Sequence, residues 1–272
     1  MSPSLFSLEG KKIAFSGATG VLGKTMSLHL AAEGATLLIL GRTANKVDEL
    51  VAEIASKGGK ACGYYTDVTD EKSIQEAAAQ IEKEHGYLDI LINGAGGNMP
   101  GAVITPTQNF LDLDVDSLRK VIDLNYLGTV LPTKALLPLM LKVNKGNILN
   151  ISSMAATRPM TRVMGYAAAK AAIDNLTKWL SVELTAKHGP DFRVNALAPG
   201  FFLTEQNRAL LTEPTGELTS RGSQIITHTP MRRFGKPDDL LGALQWLCSD
   251  ASAFVTGTVI AVDGGFSAYS GV

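Results

Sequence analysis

Cysteine is nearly absent from this chain of 272 residues: Cys62 and Cys248 are the whole supply. Two thiols so far apart offer neither a metal-ligand spacing nor a disulfide framework, and they read as reduced, buried residues. Charge of one sign is missing too. The formal net charge is -1 and like charges nowhere gather into a block. That removes the basic footprint expected of a nucleic-acid-binding protein. No uninterrupted apolar run reaches the roughly 18 residues of a membrane span. Met1 to Lys12 lack the apolar core of a secretory leader. The expectation is a cytoplasmic protein with no metal, nucleic-acid or membrane partner.

Apolar residues are plentiful, at 45%, and there are 27 glycines. The apolar residues fall into short β-leaning runs at Lys12–Ser16, Thr36–Leu40, Ala61–Thr66, Leu88–Ile92, Gly146–Ile151, Phe192–Leu197 and Thr258–Val262. Most are continuous rather than alternating, as strands covered on both faces require. Helical patterns lie between them, at about 21–34, 43–57, 70–85, 115–143, 164–187 and 237–249. Strand–helix–strand alternation of this kind predicts an α/β fold with a doubly wound, Rossmann-like parallel sheet of seven strands and helices on both faces. No linker or composition shift interrupts it, so one domain is expected over 1–272. Its cofactor half would cover about 1–150 and its catalytic and substrate half about 151–272. Residues 200–236 break the rhythm with no strand pattern, and a segment that long reads as a lid carrying short helices.

The first strand runs into Ser16-Gly17-Ala18-Thr19-Gly20-Val21-Leu22-Gly23 and then into a helix. Glycines between a strand and a helix let backbone amides approach phosphate oxygens, and the helix N-terminus adds its positive end. Dinucleotide binding is therefore expected here. The acid that would hold ribose hydroxyls after the second strand is missing, and Gly41-Arg42 stands in its place. Arg42 either pairs with a 2′-phosphate, which tilts the reading towards NADP over NAD, or stacks on adenine or faces water. Asp67-Val68 follows the third strand, where the adenine amino group would lie. Asn93-Gly94-Ala95-Gly96-Gly97 follows the fourth and supplies a backbone that the cofactor can approach closely.

The stretch Asn150–Lys170 carries the candidate chemistry. An apolar strand delivers Ser152 and Ser153 to its end, and a helix opens near Tyr166 with Lys170 four residues on. Residues four apart share a helix face. A tyrosine of ordinary pKa, about 10, is a poor acid or base at neutral pH, and a nearby ammonium would lower that value. A Tyr and a Lys at this spacing are also a common accident of helices, so the pair gains weight only from the motifs around it.

Those motifs come in one order: the Gly loop at 17–23, Asn93-Gly94-Ala95-Gly96, Asn125 within Asp123–Gly128, Ser153, Tyr166-x-x-x-Lys170, Asn195–Gly200, Thr204 and Val262-Asp263-Gly264-Gly265. Together they resemble the short-chain dehydrogenase/reductase family nearly end to end. One departure is Val21 where the family usually has its middle glycine, with Gly20 one position early. The resemblance implies Tyr166 as general acid/base, Lys170 as the residue that lowers its pKa and holds the nicotinamide ribose, Ser153 as the group orienting the substrate oxygen, and Asn125 as the anchor of a water. It implies cofactor contacts from Gly17, Thr19, Gly20, Val21, Leu22, Gly23, Arg42, Asp67, Val68, Asn93, Ala95, Gly96, Tyr166, Lys170, Pro199, Gly200, Phe202 and Thr204. A homotetramer is implied as well.

The runs Ser152–Ala156, Arg158–Val163, Gly200–Arg208, His228–Met231 and the tail Gly264–Val272 resemble the D-mannonate oxidoreductase (fructuronate reductase) branch. Such a substrate carries a carboxylate and several hydroxyls, and arginine suits the carboxylate. Asn98, Met154, Arg158, Arg162 and Arg208 are the substrate candidates, with Gln206 and Asn207 as hydroxyl partners; the Arg residues read equally well as surface or interface ion-pair partners. Other readings are gluconate 5-dehydrogenase, 3-oxoacyl-carrier-protein reductase and, outside catalysis, a dinucleotide-binding sensor.

Overall fold

Alternate residues of one strand feed two different cores. On β1 (Lys12–Ser16), Ile13 and Phe15 join one buried cluster while Ala14 joins the other. On β2 (Thr36–Gly41), Leu37 and Ile39 go one way, Leu38 and Leu40 the other. Each fully buried side chain of this size contributes roughly 1.5–3 kcal/mol. A sheet with two apolar faces must be covered twice, and helices do so on both sides.

The computed structural model describes residues 4–271, apart from the side chains of Glu205, Gln206 and Ala209. The remaining strands are β3 (Lys60–Tyr65), β4 (Ile90–Asn93), β5 (Gly146–Ile151), β6 (Phe192–Pro199) and β7 (Val259–Val262). They form a parallel sheet in the order β3-β2-β1-β4-β5-β6-β7. This is the doubly wound seven-stranded sheet that the sequence pattern predicts. The order reverses between β1 and β4, and ligands of open α/β sheets bind beyond the strand C-termini at such a switch point.

The covering helices are α1 (Val21–Ala32), α2 (Ala44–Ser56), α3 (Glu71–His85), α4 (Val115–Ile122), α5 (Gly128–Leu141), α6 (Met164–His188), α7 (Glu205–Leu211), α8 (Ser220–His228) and α9 (Leu241–Cys248). The helix expected over 115–143 is interrupted by a π-helical turn at Asp123–Leu127, which separates α4 from α5. Residues 200–236 contain α7 and α8, pinned by a bridge between Phe202 and Gly235 and another between Thr212 and Leu218. Cys62 and Cys248 are free thiols; burial pushes Cys248 up to about 12. Among the described residues no helix is long and apolar enough to cross a membrane, and no cluster of His, Cys, Asp or Glu could hold a metal.

Candidate active site

The end of β1 and the start of α1 build the first wall. Gly17 has φ +79°, and a Cβ there would stand 2.4 Å from the Gly94 carbonyl carbon. A Cβ on Gly23 would stand 2.1 Å from the Gly17 carbonyl oxygen. Neither position admits a side chain. Gly20 is looser: it caps α1 at φ −72°, and its added Cβ would meet only the Gly17 oxygen at 3.3 Å. The early glycine therefore does not derail the loop, because α1 still opens at Val21 directly after it. The opening amides of α1 receive no side-chain cap, and such orphan donors at a positive dipole end suit a phosphate.

Two cavities meet at this loop. One, of about 410 Å³, is lined by Gly17, Gly20, Val21, Leu22, Gly23, Gly96, Ser153, Tyr166, Lys170, Pro199, Gly200, Phe202 and Thr204. The other, of about 240 Å³, is lined by Thr19, Arg42, Val68, Ala95 and Gly96, and shares Gly17 and Gly20 with the first. Glycine-walled backbone on one side, an uncapped helix N-terminus at the middle and a long groove on either side of it fit an extended dinucleotide.

Two expected cofactor residues are placed differently. Asn93 lines neither cavity. It is buried, and its amide donates to Thr133 Oγ1 and Asn150 Oδ1, both at 2.9 Å, so it ties β4 to α5 and β5. Asp67 is also outside the cavity walls. Its carboxylate accepts from the Thr69 amide and hydroxyl and faces Arg42 at 3.5 Å. Those bonds and the guanidinium hold its carboxyl below the usual range against the opposing effect of burial. Arg42 does line the outer cavity, but with a carboxylate already beside it.

The candidate chemistry gathers at the inner end. Ser153 caps the short turn Met154–Ala156, where its hydroxyl oxygen accepts from the Ala155 amide at 3.2 Å. Its O–H is thereby left to donate, and the Ser153 side chain neighbours the Tyr166 phenol. Burial pushes that phenol above its ordinary pKa, while the neighbouring Ser153 hydroxyl works the other way. The lowering expected from Lys170 is not what this arrangement has. The Lys170 ammonium sits 5.6 Å from the Tyr166 ring centre and donates to the Ile151 carbonyl at 2.7 Å. Lys170 itself is buried, which brings it down to about 8, with Asp174 opposing that fall.

Asn125 occupies the π-helical turn. Its Nδ2 donates to Gly97 O at 2.7 Å and Val121 O at 2.8 Å, and its Oδ1 accepts from Gly97 N at 3.1 Å. A Cβ on Gly96 would lie 2.6 Å from Asn125 Oδ1 and 3.3 Å from Lys170 Nζ. Asn125, Gly96 and Lys170 thus converge, which explains the widened helix: it turns Asn125 onto the loop after β4.

The substrate candidates scatter. Met154 is buried in the core, 3% exposed, and lines neither cavity. Asn98 is exposed, and its carboxamide oxygen accepts from the adjacent Met99 amide. Arg158 is exposed and donates through Nε, at 3.1 Å, and Nη2 to the Ser267 carbonyl, fastening its loop to the C-terminal tail. Arg208 lies exposed on α7. Arg162 is half-buried just before α6, at φ +77°. Asn207 lines the inner cavity, but its carboxamide bonds the Thr204 amide and the Phe202 carbonyl. The side chain of Gln206 lies outside the described residues. Sequence reasoning missed Asp174 and Ser152. Asp174 is buried, one helical repeat beyond Lys170, with its carboxyl raised by burial and bonded by the Ser152 hydroxyl. The spacing Tyr166, Lys170, Asp174 was the available signal.

A parallel sheet with a glycine-walled dinucleotide groove and a Ser–Tyr–Lys constellation at its inner end defines a class, and the comparisons with known proteins agree with it. A family model described as enoyl-(acyl carrier protein) reductase matches residues 17–267. The chain belongs to the short-chain dehydrogenase/reductase family and is an NAD(P)-dependent oxidoreductase acting on CH–OH groups. It is 45% identical over 281 residues, all of both chains, to the Bacillus subtilis (strain 168) protein named uncharacterized oxidoreductase UxuB. A Haemophilus influenza structure with bound NAD, provisionally described as a D-mannonate oxidoreductase, is 45% identical with a TM-score of 0.92, covering 98% of both chains. A gluconate 5-dehydrogenase from Burkholderia cenocepacia J2315, in complex with NADP and tartrate, is 30% identical with a TM-score of 0.85 and 97% of both chains covered.

Proposed function

We propose that this oxidoreductase interconverts D-mannonate and D-fructuronate, within one domain that also carries the dinucleotide groove. The observation that carries the catalytic reading is the meeting of Ser153, Tyr166 and Lys170 at the inner end of that groove. When bound, the dinucleotide supplies or accepts the hydride. Tyr166 gives its phenolic proton to the substrate oxygen in reduction and takes it back in oxidation. Burial that keeps the phenol protonated suits the donating role. Ser153 donates to the same oxygen and orients it. Lys170, brought down to about 8, keeps its proton and positive charge near neutral pH on the helix that also carries Tyr166. Asn125 is a positioning residue: it bonds both backbone groups of Gly97 and so holds the adjoining Gly96 beside Lys170. Pro199, Gly200 and Thr204 would receive the nicotinamide end, and Thr19, Arg42 and Val68 the adenosine end.

The sugar-acid reading rests on the Haemophilus and Burkholderia relatives and on the arginines of the loop before α6 and of the short helices α7 and α8. Gluconate oxidation is the second reading, supported by the Burkholderia relative. For the dinucleotide, Asp67 beside Arg42 weakens the case for a 2′-phosphate and turns the preference towards NAD, which the Haemophilus relative holds. Assembly as a cytoplasmic homotetramer remains part of the proposal. The test is a nicotinamide absorbance assay with D-mannonate, D-fructuronate and D-gluconate, each with NAD(H) and NADP(H). Turnover of mannonate or fructuronate is the expected result. Turnover of gluconate alone would move the proposal to the second reading, and inactivity on all three would remove the sugar acids.

A further inference from the structure

Two arginines from distant parts of the chain are brought together beside the opening of α6. Arg221 stands in the first turn of α8, and its Nη1 donates to Thr161 Oγ1 at 3.4 Å, next to Arg162 in sequence. Both guanidinium-bearing residues are half-buried. Burial and the neighbouring Arg162 charge both push the Arg221 guanidinium below its ordinary value. Among the described residues, no carboxylate lies within ion-pair distance of either; every cation–carboxylate pair found involves other residues.

Three separate features are unfavourable as they stand. Like charges near one another repel. The first turn of α8 holds a cation and no acid, where the helix dipole prefers an anion. Arg162 occupies φ +77°, a conformation that costs energy for any residue with a side chain. The bond from the Ile104 amide to the Arg162 carbonyl, 3.0 Å, holds that backbone in place. One anion between the guanidiniums would relieve the first two. Arg158, by contrast, is fastened to the tail and Arg208 is exposed on α7.

We propose that Arg162 and Arg221 together form the seat for the substrate carboxylate, with α8 supplying one arm and the loop before Tyr166 the other. This rests on the sugar-acid reading above and sharpens it. It names Arg221, which sequence reasoning passed over, as a specificity-determining residue. Fructuronate carries its carboxylate at the end of the carbon chain away from the ketone, so a seat four residues before Tyr166 positions both ends of the substrate.

The experiment compares D-fructuronate with D-fructose, which has the same ketone and a CH2OH in place of the carboxylate. Arg221→Met and Arg162→Gly are the variants; glycine keeps the positive φ while deleting the guanidinium. Each is expected to raise KM for fructuronate roughly ten- to hundredfold, with kcat little changed, no matching loss on fructose, and partial rescue by Arg221→Lys. An unchanged ratio of the two substrates overturns the proposal. So does dissociation of an assembly without a change in that ratio, which would make the pair an interface contact. If the wild type turns over no sugar acid, the function proposed above fails separately. Calorimetric titration of the dinucleotide complex with D-mannonate, D-gluconate and tartrate then reads the seat. Binding of any of them, weakened by Arg221→Met, sustains it; no binding, or binding indifferent to the variant, overturns it.

Discussion

The inner end of the cleft and the arginine-bearing segments before α6 and on α7 and α8 are built on opposite terms. At the inner end, Lys170, Asn125 and Asp174 are buried, and each has hydrogen-bond or charge partners on neighbouring elements. On those segments, Arg158 and Arg208 are exposed and Arg162 and Arg221 half-buried; Arg158 reaches a carbonyl and Arg221 a threonine. A buried constellation is over-determined by packing, so its residues have one place to go. The arginines are long side chains whose partners are decided by which loops and short helices come near. The first suits chemistry common to a family, the second suits choice of substrate.

The largest effect that would break this contrast lies in the glycine loop. Gly23→Ala forces a Cβ to within 2.1 Å of the Gly17 oxygen, and it is expected to weaken dinucleotide binding at least about a hundredfold, because the loop must open to accept it. Gly20→Ala, with ordinary φ and only one contact at 3.3 Å, is expected to alter that affinity by no more than about threefold. Fluorescence titration with reduced dinucleotide separates the two. Equal behaviour of both variants would contradict the geometry of the loop.

Next comes Ser153→Ala, which removes the hydroxyl beside Tyr166 that would donate to the substrate oxygen. It should lower kcat about ten- to a thousandfold while leaving dinucleotide affinity in place. Smaller again is Asn93→Ala. Its loss should appear in stability, about 1–3 kcal/mol by denaturant unfolding, because Thr133 and Asn150 lose a buried partner. KM for the dinucleotide should barely move, since Asn93 is not part of the cleft wall.

Much of the inner region was legible in the chain. The strands Lys12–Ser16 and Gly146–Ile151 are found with the ends that the apolar runs mark. Tyr166 and Lys170 lie on one helix, as their spacing requires. The π-helical turn was not legible: Asp123–Leu127 reads as ordinary helix, and the widening is imposed by Asn125 meeting Gly97. The pairing of Arg42 with Asp67 was missed because each was read alone. Register would have found it, since Gly41 faces Tyr65 across β2 and β3, and Arg42 and Asp67 follow close behind. Arg221 gave no signal at all, because its meeting with Thr161 depends on where α8 comes to lie.

A further effect concerns pH. Lys170 has a folded pKa of about 8 against an ordinary 10.5. The unfolded chain therefore binds the extra proton between these values, so Lys170 lets stability rise as pH goes from about 8 to 10.5 and takes it away as pH falls back. The raised Tyr166 phenol acts in the opposite sense above its ordinary value of 10. Lys170→Met should flatten the rise between pH 8 and 10 in unfolding curves. An unaltered slope would mean that Lys170 is not held in a desolvated site.

The central claim is that Tyr166 moves the proton in a groove that binds the dinucleotide without it. Tyr166→Phe tests this most directly, measured both as turnover of D-fructuronate with reduced dinucleotide and as dinucleotide affinity. The account predicts a fall in kcat of about a hundred- to ten-thousandfold with affinity kept. A Tyr166→Phe enzyme that turns over at the wild-type rate would contradict it.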